Sequence, residues 1–249
     1  MPRPALLAVS HGTSDVDGAA AIALLVRRVA ERLRGREHGA SRGAAGDAAG
    51  PVAVHEGFVD VQQPDAPTAL AALTGPAVIV PLLLSQGFHV RIDLGGPAAA
   101  RPKTVAADPL GPDPRLAEVL ATRLEQATSA SAAGAADPVI LAIAGSRDPR
   151  SLADAEGMAG LLAERLDREV VPAYLAAREP SLATALRTHP GAPVATYLLA
   201  HGYFFDVARR VARRAVLTEP LLDAAEPPDA LVDLVIDRYL AGEARLPDR

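Results

Sequence analysis

His11, Asp60 and His89 are the residues whose types and positions suit chemistry carried out together. Imidazole and carboxylate bind borderline divalent ions such as iron, cobalt, nickel and zinc, and a free imidazole accepts protons near neutral pH. Each of the three follows an apolar run: LLAVS before His11, VAVHEGFV before Asp60 and PLLLSQGF before His89. In open parallel α/β sheets ligands bind beyond the carboxyl ends of the strands, so strand-end polar residues are the ones to watch. The turn Gly12-Thr13-Ser14 beside His11 adds backbone N–H groups at a helix start, which suit an anionic ligand. The chain has no cysteine, which excludes disulfides, thiolate zinc sites, iron–sulfur clusters and a cysteine nucleophile. Any metal chemistry must therefore run on histidine and carboxylate.

The elements that carry these residues occur twice. Residues 6–33, LLAVSHGTSDVDGAAAIALLVRRVAERL, align with residues 139–166, VILAIAGSRDPRSLADAEGMAGLLAERL, at an offset of 133. GFVDVQQPDAPTAL (57–70) aligns with AYLAAREPSLATAL (173–186) at 116, and PLLLSQGF (81–88) with TYLLAHGY (196–203) at 115. Four blocks in one order, the last being the terminal helices of each half, mark an internal duplication. The change of offset from 133 to 116 places an insertion of 17 residues after Leu33, with the sequence GREHGASRGAAGDAAGP. Its Gly/Ala-rich composition predicts a flexible surface loop over 34–50, and ATSASAAGAAD has linker composition. The division expected is 1–126, a linker over 127–138, and 139–249.

Within each copy, short apolar strands alternate with helices of 3.6-residue periodicity. In the first helix Ile22, Leu25, Val26, Val29 and Leu33 share one face, opposite Arg27, Arg28, Glu31 and Arg32. Strands that are apolar throughout belong to parallel sheets covered on both faces. The predicted architecture is α/β: two tandem, doubly wound, three-layer α/β/α domains with parallel sheets.

The two copies differ where chemistry is expected. His11, Asp60 and His89 align with Ala144, Ala176 and Phe204, whereas Gly12, Pro64 and Gly87 align with Gly145, Pro180 and Gly202. The scaffold is repeated and the polar groups are not. The first half is thus the candidate active half, and the second a degenerate copy kept for packing and for one wall of a cleft. Asp15 and Asp148 match in both halves, which argues for helix capping. His38 falls in the insertion, His55 in or beside a strand, His189 in a loop, and His201 opposite Gln86 in the alignment.

With SHGTSD after the first strand and PLLLSQGFHVRID at the third, the chain resembles the class II chelatases that metallate sirohydrochlorin, in their long two-unit form. The resemblance runs from Leu6 to about Leu240. It implies insertion of a divalent metal into sirohydrochlorin, in sirohaem or cobalamin biosynthesis, with Fe²⁺ favoured and Co²⁺ close behind. The metal is a substrate, and no organic cofactor is implied. His11 matches the family's metal-binding proton acceptor and His89 its second metal-binding histidine. Asp60 stands where Glu is usual and reaches about one methylene less far. Leu84, Ser85, Gln86, Gly87 and Phe88 match the stretch that contacts the tetrapyrrole. Gly12, Thr13, Ser14 and Arg91 are further substrate contacts. A tetrapyrrole or metal carrier, or a metal-dependent hydrolase on the same scaffold, are the alternatives.

Composition narrows the partners. The formal net charge is −5 and aromatic residues make up 3% of the chain, a poor match to nucleic-acid binding, which needs a basic footprint and stacking platforms. The apolar run before Ser10 is too short for a signal peptide or a membrane span, so a cytoplasmic protein is expected. A polycarboxylate substrate calls for local cations, and Arg91, Arg101, Lys103 and Arg147 are the candidates. Two fused units supply an internal pseudo-dimer, so a monomer is expected.

Overall fold

The strand β1 (Ala5–Ser10) is buried along almost its whole length, and the chain then turns into helix α1 (Val16–Ser41). This computed structural model describes residues 3–41, 50–87, 93–129 and 138–247. Asp15 starts α1 by accepting the Gly18 N–H at 2.8 Å, the N-cap arrangement its repetition suggests. Ile22, Leu25, Val26, Val29 and Leu33 are all buried, as the 3.6-residue spacing requires. The helix does not stop at Leu33. It continues through Ser41 into the segment expected as loop, because Arg34, Arg36 and Glu37 are good helix formers and extend the pattern by two turns. The rest of that segment, residues 42–49, lies outside the described residues.

The first half continues with β2 (Val54–Phe58), α2 (Ala66–Ala71), β3 (Ala77–Pro81), α3 (Gly96–Ala100), β4 (Thr104–Ala106) and α4 (Pro114–Ser129). Its four strands are parallel in the order β2-β1-β3-β4. Alternate residues go to opposite faces: Leu6, Ala8, Val78 and Val80 join one apolar cluster, and Leu7, Val9, Ala77 and Ile79 the other. The second half has β5 (Val139–Ile143), α5 (Arg150–Leu166), β6 (Val170–Tyr174), α6 (Leu182–Thr188), β7 (Val194–Tyr197), α7 (Tyr203–Val211) and α8 (Asp229–Ala244). Its parallel order is β6-β5-β7. The fold is α/β with two parallel sheets. The short β4 has three residues, too few for a readable period in the sequence.

The duplication is visible in the backbone itself. Gly12 and Gly145 have φ of 88° and 90°, Val61 and Ala177 both have φ of 63°, and the peptide bonds before Pro64 and Pro180 are both cis. Asp65 and Ser181 cap α2 and α6 through the Thr68 and Thr184 N–H groups.

The terminal helices are exchanged between the halves. Helix α4 packs on α5 and β7, and α8 packs on α1, β3 and β4. On α8, Tyr239 donates its buried hydroxyl to the Pro4 carbonyl at 2.8 Å, and Glu243 pairs with Arg3 at 2.7 Å. A Cβ at Gly242 would lie 2.4 Å from the Val78 side chain, so this glycine lets the helix sit directly on β3. Arg28, Arg32 and Arg36, one helical turn apart on α1, meet Glu226, Asp229 and Asp233 beside or on α8. On the other side Arg165 of α5 holds Glu118 of α4 at 2.6 Å. One continuous apolar cluster consequently includes residues of both sheets and both exchanged helices.

Two halves that share a core in this way should unfold as one. A single urea transition is expected, with the same midpoint by near- and far-ultraviolet circular dichroism. Tyr239→Phe should lower its stability by about 1–2 kcal/mol, the cost of leaving a buried carbonyl without its donor. Two separated transitions would show that the halves fold independently.

Candidate functional site

The order of the first sheet reverses between β1 and β3, and beyond the carboxyl ends of these strands a cleft of about 600 Å³ opens between the two halves. That is the position expected for a ligand in a doubly wound sheet, and the size is that of a small-molecule site. The first half contributes Ser10 to Ser14 and Leu82 to Gly87; the second contributes Ile143 to Ser146 and Leu198 to Phe205.

His11 follows β1 directly and lines the cleft. Its backbone carbonyl accepts the Asp60 N–H at 3.0 Å. A Cβ on Gly12 would lie 2.2 Å from the Asp60 carbonyl oxygen. Only glycine permits this approach, and its positive φ turns the chain out of β1 into the short connection, residues 11–15, that leads to α1. Ser10 lines the same floor; its hydroxyl is buried and has no hydrogen-bond partner among the described residues. A buried orphan hydroxyl beside a cleft is a group waiting for water or a ligand.

The helix-start turn differs from the sequence expectation. Thr13 N–H is taken by the Gln62 side chain at 2.9 Å, Asp15 N–H by Thr13 Oγ1 at 3.1 Å, and Gly18 N–H by Asp15. Of the three N–H groups in the Gly12-Thr13-Ser14 turn, that of Thr13 is thereby occupied within the protein. Thr13 and Ser14 still line the cleft. Asp60 has its backbone against Gly12, but its side chain is exposed and accepts the neighbouring Val61 N–H at 2.8 Å. It is not among the lining residues. Phe88, His89 and Arg91 lie outside the described residues, and no group of three or more histidines and carboxylates gathers among the described ones.

The segment that leads to His89 is held by the second half. Tyr197 donates its hydroxyl to the Leu84 carbonyl at 2.9 Å, and Asp154 of α5 accepts the Gln86 N–H at 2.6 Å. Leu84, Ser85, Gln86 and Gly87 all line the cleft. Tyr197, Asp154 and Ser10 were not singled out from sequence. An aspartate on a helix carries no sign of the loop it meets across a domain interface.

Charge is distributed differently from expectation as well. The described lining residues include no lysine, arginine, aspartate or glutamate. Arg101 donates to the Leu73 and Gly75 carbonyls, before β3, and Lys103 gives its own carbonyl to Ala77. Both residues are therefore at the opposite end of the sheet from the cleft, because the chain between β3 and β4 has already crossed back. Arg147 is exposed beside the lining residue Ser146. His55 is exposed on β2, and His189 ends α6. His201 is in the cleft, with Nε2 2.5 Å from Glu219 Oε2 and its ring stacked on Phe205 at 4.5 Å between centroids. No described helix is long and apolar enough to cross a membrane.

Comparison with known proteins extends over both halves. The profile of the CbiX family matches residues 5–127 and again residues 138–237. A structure of SirB from Bacillus subtilis with Fe³⁺ has 21% identity and a TM-score of 0.69, with 98% of each chain covered. The sirohydrochlorin chelatase SirB from Bacillus subtilis subspecies spizizenii, in complex with cobalt, has 19% identity and a TM-score of 0.69, covering 97% of this chain and 96% of that one. CbiX, described as the terminal enzyme for biosynthesis of sirohaem in denitrifying bacteria, has 19% identity and a TM-score of 0.63, covering 94% and 98%. Identities this low establish a common fold. No curated protein sequence matches the chain.

The Tyr197 bond can be tested through its pH signature. Burial pushes the Tyr197 phenol above its ordinary value of 10. The stability it contributes is therefore present below pH 10 and is lost as the pH rises further and the unfolded phenol ionises. Tyr197→Phe should lower stability at pH 8 by about 1–3 kcal/mol, because Leu84 loses its donor. It should also make the decline in urea midpoint above pH 10 shallower. An unchanged midpoint at pH 8 would remove Tyr197 as the brace of this strand end.

Proposed function

The chain belongs to the CbiX family, and from that premise we propose that it is a sirohydrochlorin chelatase, a lyase-type enzyme that inserts Fe²⁺, and less readily Co²⁺, into the tetrapyrrole. The observation that carries the proposal is the cleft at the switch point. It has apolar walls from both halves, His11 at the end of β1, and the backbone that leads to His89 fixed from the second half.

A planar macrocycle is bound by apolar faces on both sides, and leucine, isoleucine and aromatic residues supply them here. Metal insertion requires two pyrrole N–H protons to leave while the four ring nitrogens take the ion. His11 and His89 hold the incoming ion, and the cleft strips its water. Neutral imidazoles bind iron and cobalt without the grip of thiolates, so the ion is held and then passed on. Asp60 supports the turn through Oδ1, which accepts the Val61 N–H, and its other oxygen is the weaker candidate for the ion. The carboxylates of the substrate extend to the open side, where the exposed Arg147 meets them. The SirB structures with Fe³⁺ and with cobalt support metal handling on this fold; the preference for iron in this chain rests on its use in sirohaem.

The test is to mix protein, sirohydrochlorin and Fe²⁺ or Co²⁺ without oxygen and follow the absorbance change of the ring. Acceleration over the spontaneous rate is expected with both ions, and faster with Fe²⁺. His11→Ala and His89→Ala should each reduce kcat by about 100-fold or more, the scale of a lost proton acceptor or ligand. Tight binding of the tetrapyrrole without turnover would make the protein a carrier. Full activity in both variants would remove the assigned site.

A further inference from the structure

The cleft holds a second histidine site that the duplication conceals. His201 follows β7 in the half whose chemical groups are otherwise replaced, and Glu219 fixes it. Thr218, the residue before Glu219, is buried and locked to Thr196 by two hydrogen bonds of 2.9 Å, and Leu221 N–H is bound to the Leu198 carbonyl at 3.0 Å. Glu219 is therefore presented from a rigid turn. In the first half the matching turn bonds Leu110 N–H to the Leu83 carbonyl, and its acid, Asp108, pairs instead with Arg245. At this pair of matching turns the acid bonds to a histidine in the second half and to an arginine in the first.

A carboxylate only accepts hydrogen bonds, so the bond to Glu219 Oε2 places the imidazole hydrogen on Nε2 and leaves the lone pair on Nδ1. Stacking on Phe205 fixes the plane of the ring. The His201 side chain is 29% exposed, so the ring retains an accessible edge in the cleft. Among the described lining residues, His11 and His201 are the two imidazoles, one from each half.

Resting on the chelatase reading above, we infer that His201, oriented by Glu219, is a proton acceptor for the pyrrole N–H groups. The need for it follows from the metal. An imidazole nitrogen that coordinates the ion has its lone pair engaged and takes no proton there, so His11 and His89 cannot both hold the ion and accept protons at the same nitrogens. In each transfer a pyrrole N–H bond breaks and its electron pair stays on nitrogen, which donates it to the incoming ion. The proton forms a new N–H bond at Nδ1 of His201. Glu219 balances the imidazolium charge, and the proton then leaves to water at the cleft mouth, so that one acceptor can serve both protons in turn. His201 is the catalytic residue in this scheme and Glu219 a positioning residue.

The test compares wild type, His201→Gln, His201→Gly and Glu219→Gln in the sirohydrochlorin assay with saturating Co²⁺, after circular dichroism has shown that each variant is folded. His201→Gln should lower kcat 10- to 100-fold, with KM for sirohydrochlorin and the Kd for Co²⁺ alone within about threefold of wild type. Added imidazole should restore part of the kcat of His201→Gly. Glu219→Gln, which keeps a hydrogen-bond acceptor but loses the charge, should lower kcat about 3- to 10-fold with unchanged KM. Wild-type kcat in His201→Gln, or a raised KM at unchanged kcat, overturns the inference. If His201→Gln does not fold, absence of imidazole rescue in His201→Gly together with wild-type kcat in Glu219→Gln overturns it. A wild-type chain without turnover defeats the chelatase reading itself, whereas an active wild type with active variants defeats this inference alone.

Discussion

The close approach of the first strand end to the second is the constraint on which the cleft depends. At Gly12 a Cβ would stand 2.2 Å from the Asp60 carbonyl, and at Gly145 it would stand 2.0 Å from the Ala176 carbonyl. No side chain fits at either place, and both glycines have left-handed φ. The turn at each site takes the chain out of its strand, which leaves the preceding residue, His11 or Ala144, at the carboxyl edge of its sheet. The two cleft walls are built by this one device used twice. What differs between them is the residue placed on it.

The halves are also not independent walls. Exchange of α4 and α8 means that each sheet is covered by a helix from the other half. A movement of one strand end relative to the other must therefore disturb a shared apolar core, and close-packed interiors resist such movement. The bonds from Tyr197 to Leu84 and from Asp154 to Gln86 act at the end of this arrangement. They transfer the rigidity of the second half to the backbone that precedes His89. The strand ends of the second half thus carry supporting groups, and His201 with Glu219 stands where symmetry would place Gln86.

Sequence periodicity revealed the parts of the structure whose causes are local. The buried face of α1, the continuous apolar strands, and the duplicated glycines, prolines and caps all follow from residue type at fixed spacing. The parts it missed depend on partners distant in the chain. The apolar residues of α8 do not name the sheet they cover, and Asp154 does not name Gln86. Gln62 fills Thr13 N–H from 49 residues away, a partner that the Gly12-Thr13-Ser14 turn does not announce. Val61 N–H drew the Asp60 carboxylate onto its own turn because Val61 has φ of 63° and presents that N–H to the preceding side chain. Arg101 and Lys103 follow His89 closely in sequence, yet a single crossing of the sheet puts them at its far end. His201 was visible through its alignment with Gln86; Glu219, 18 residues later, became meaningful only through the locked turn.

Charge takes on a different role once the cleft is seen. A substrate with many carboxylates suggested a basic wall, but the described lining has no fixed charge of either sign. Taking carboxylates from water into such a cleft would cost several kcal/mol each without a paired cation. The arrangement that avoids this cost keeps the carboxylates at the open side, in water, and lets only the macrocycle enter. The apolar walls then serve two purposes. On the proposed chelatase function they bind the ring faces, and by excluding water they make the protons of the ring depend on the imidazoles inside. In a cleft without fixed charges, the electrostatic change on metal insertion falls on the ion, the ring nitrogens and the acceptors. Glu219, half exposed, acts on its imidazole through the direct hydrogen bond, since water screens its charge beyond that contact.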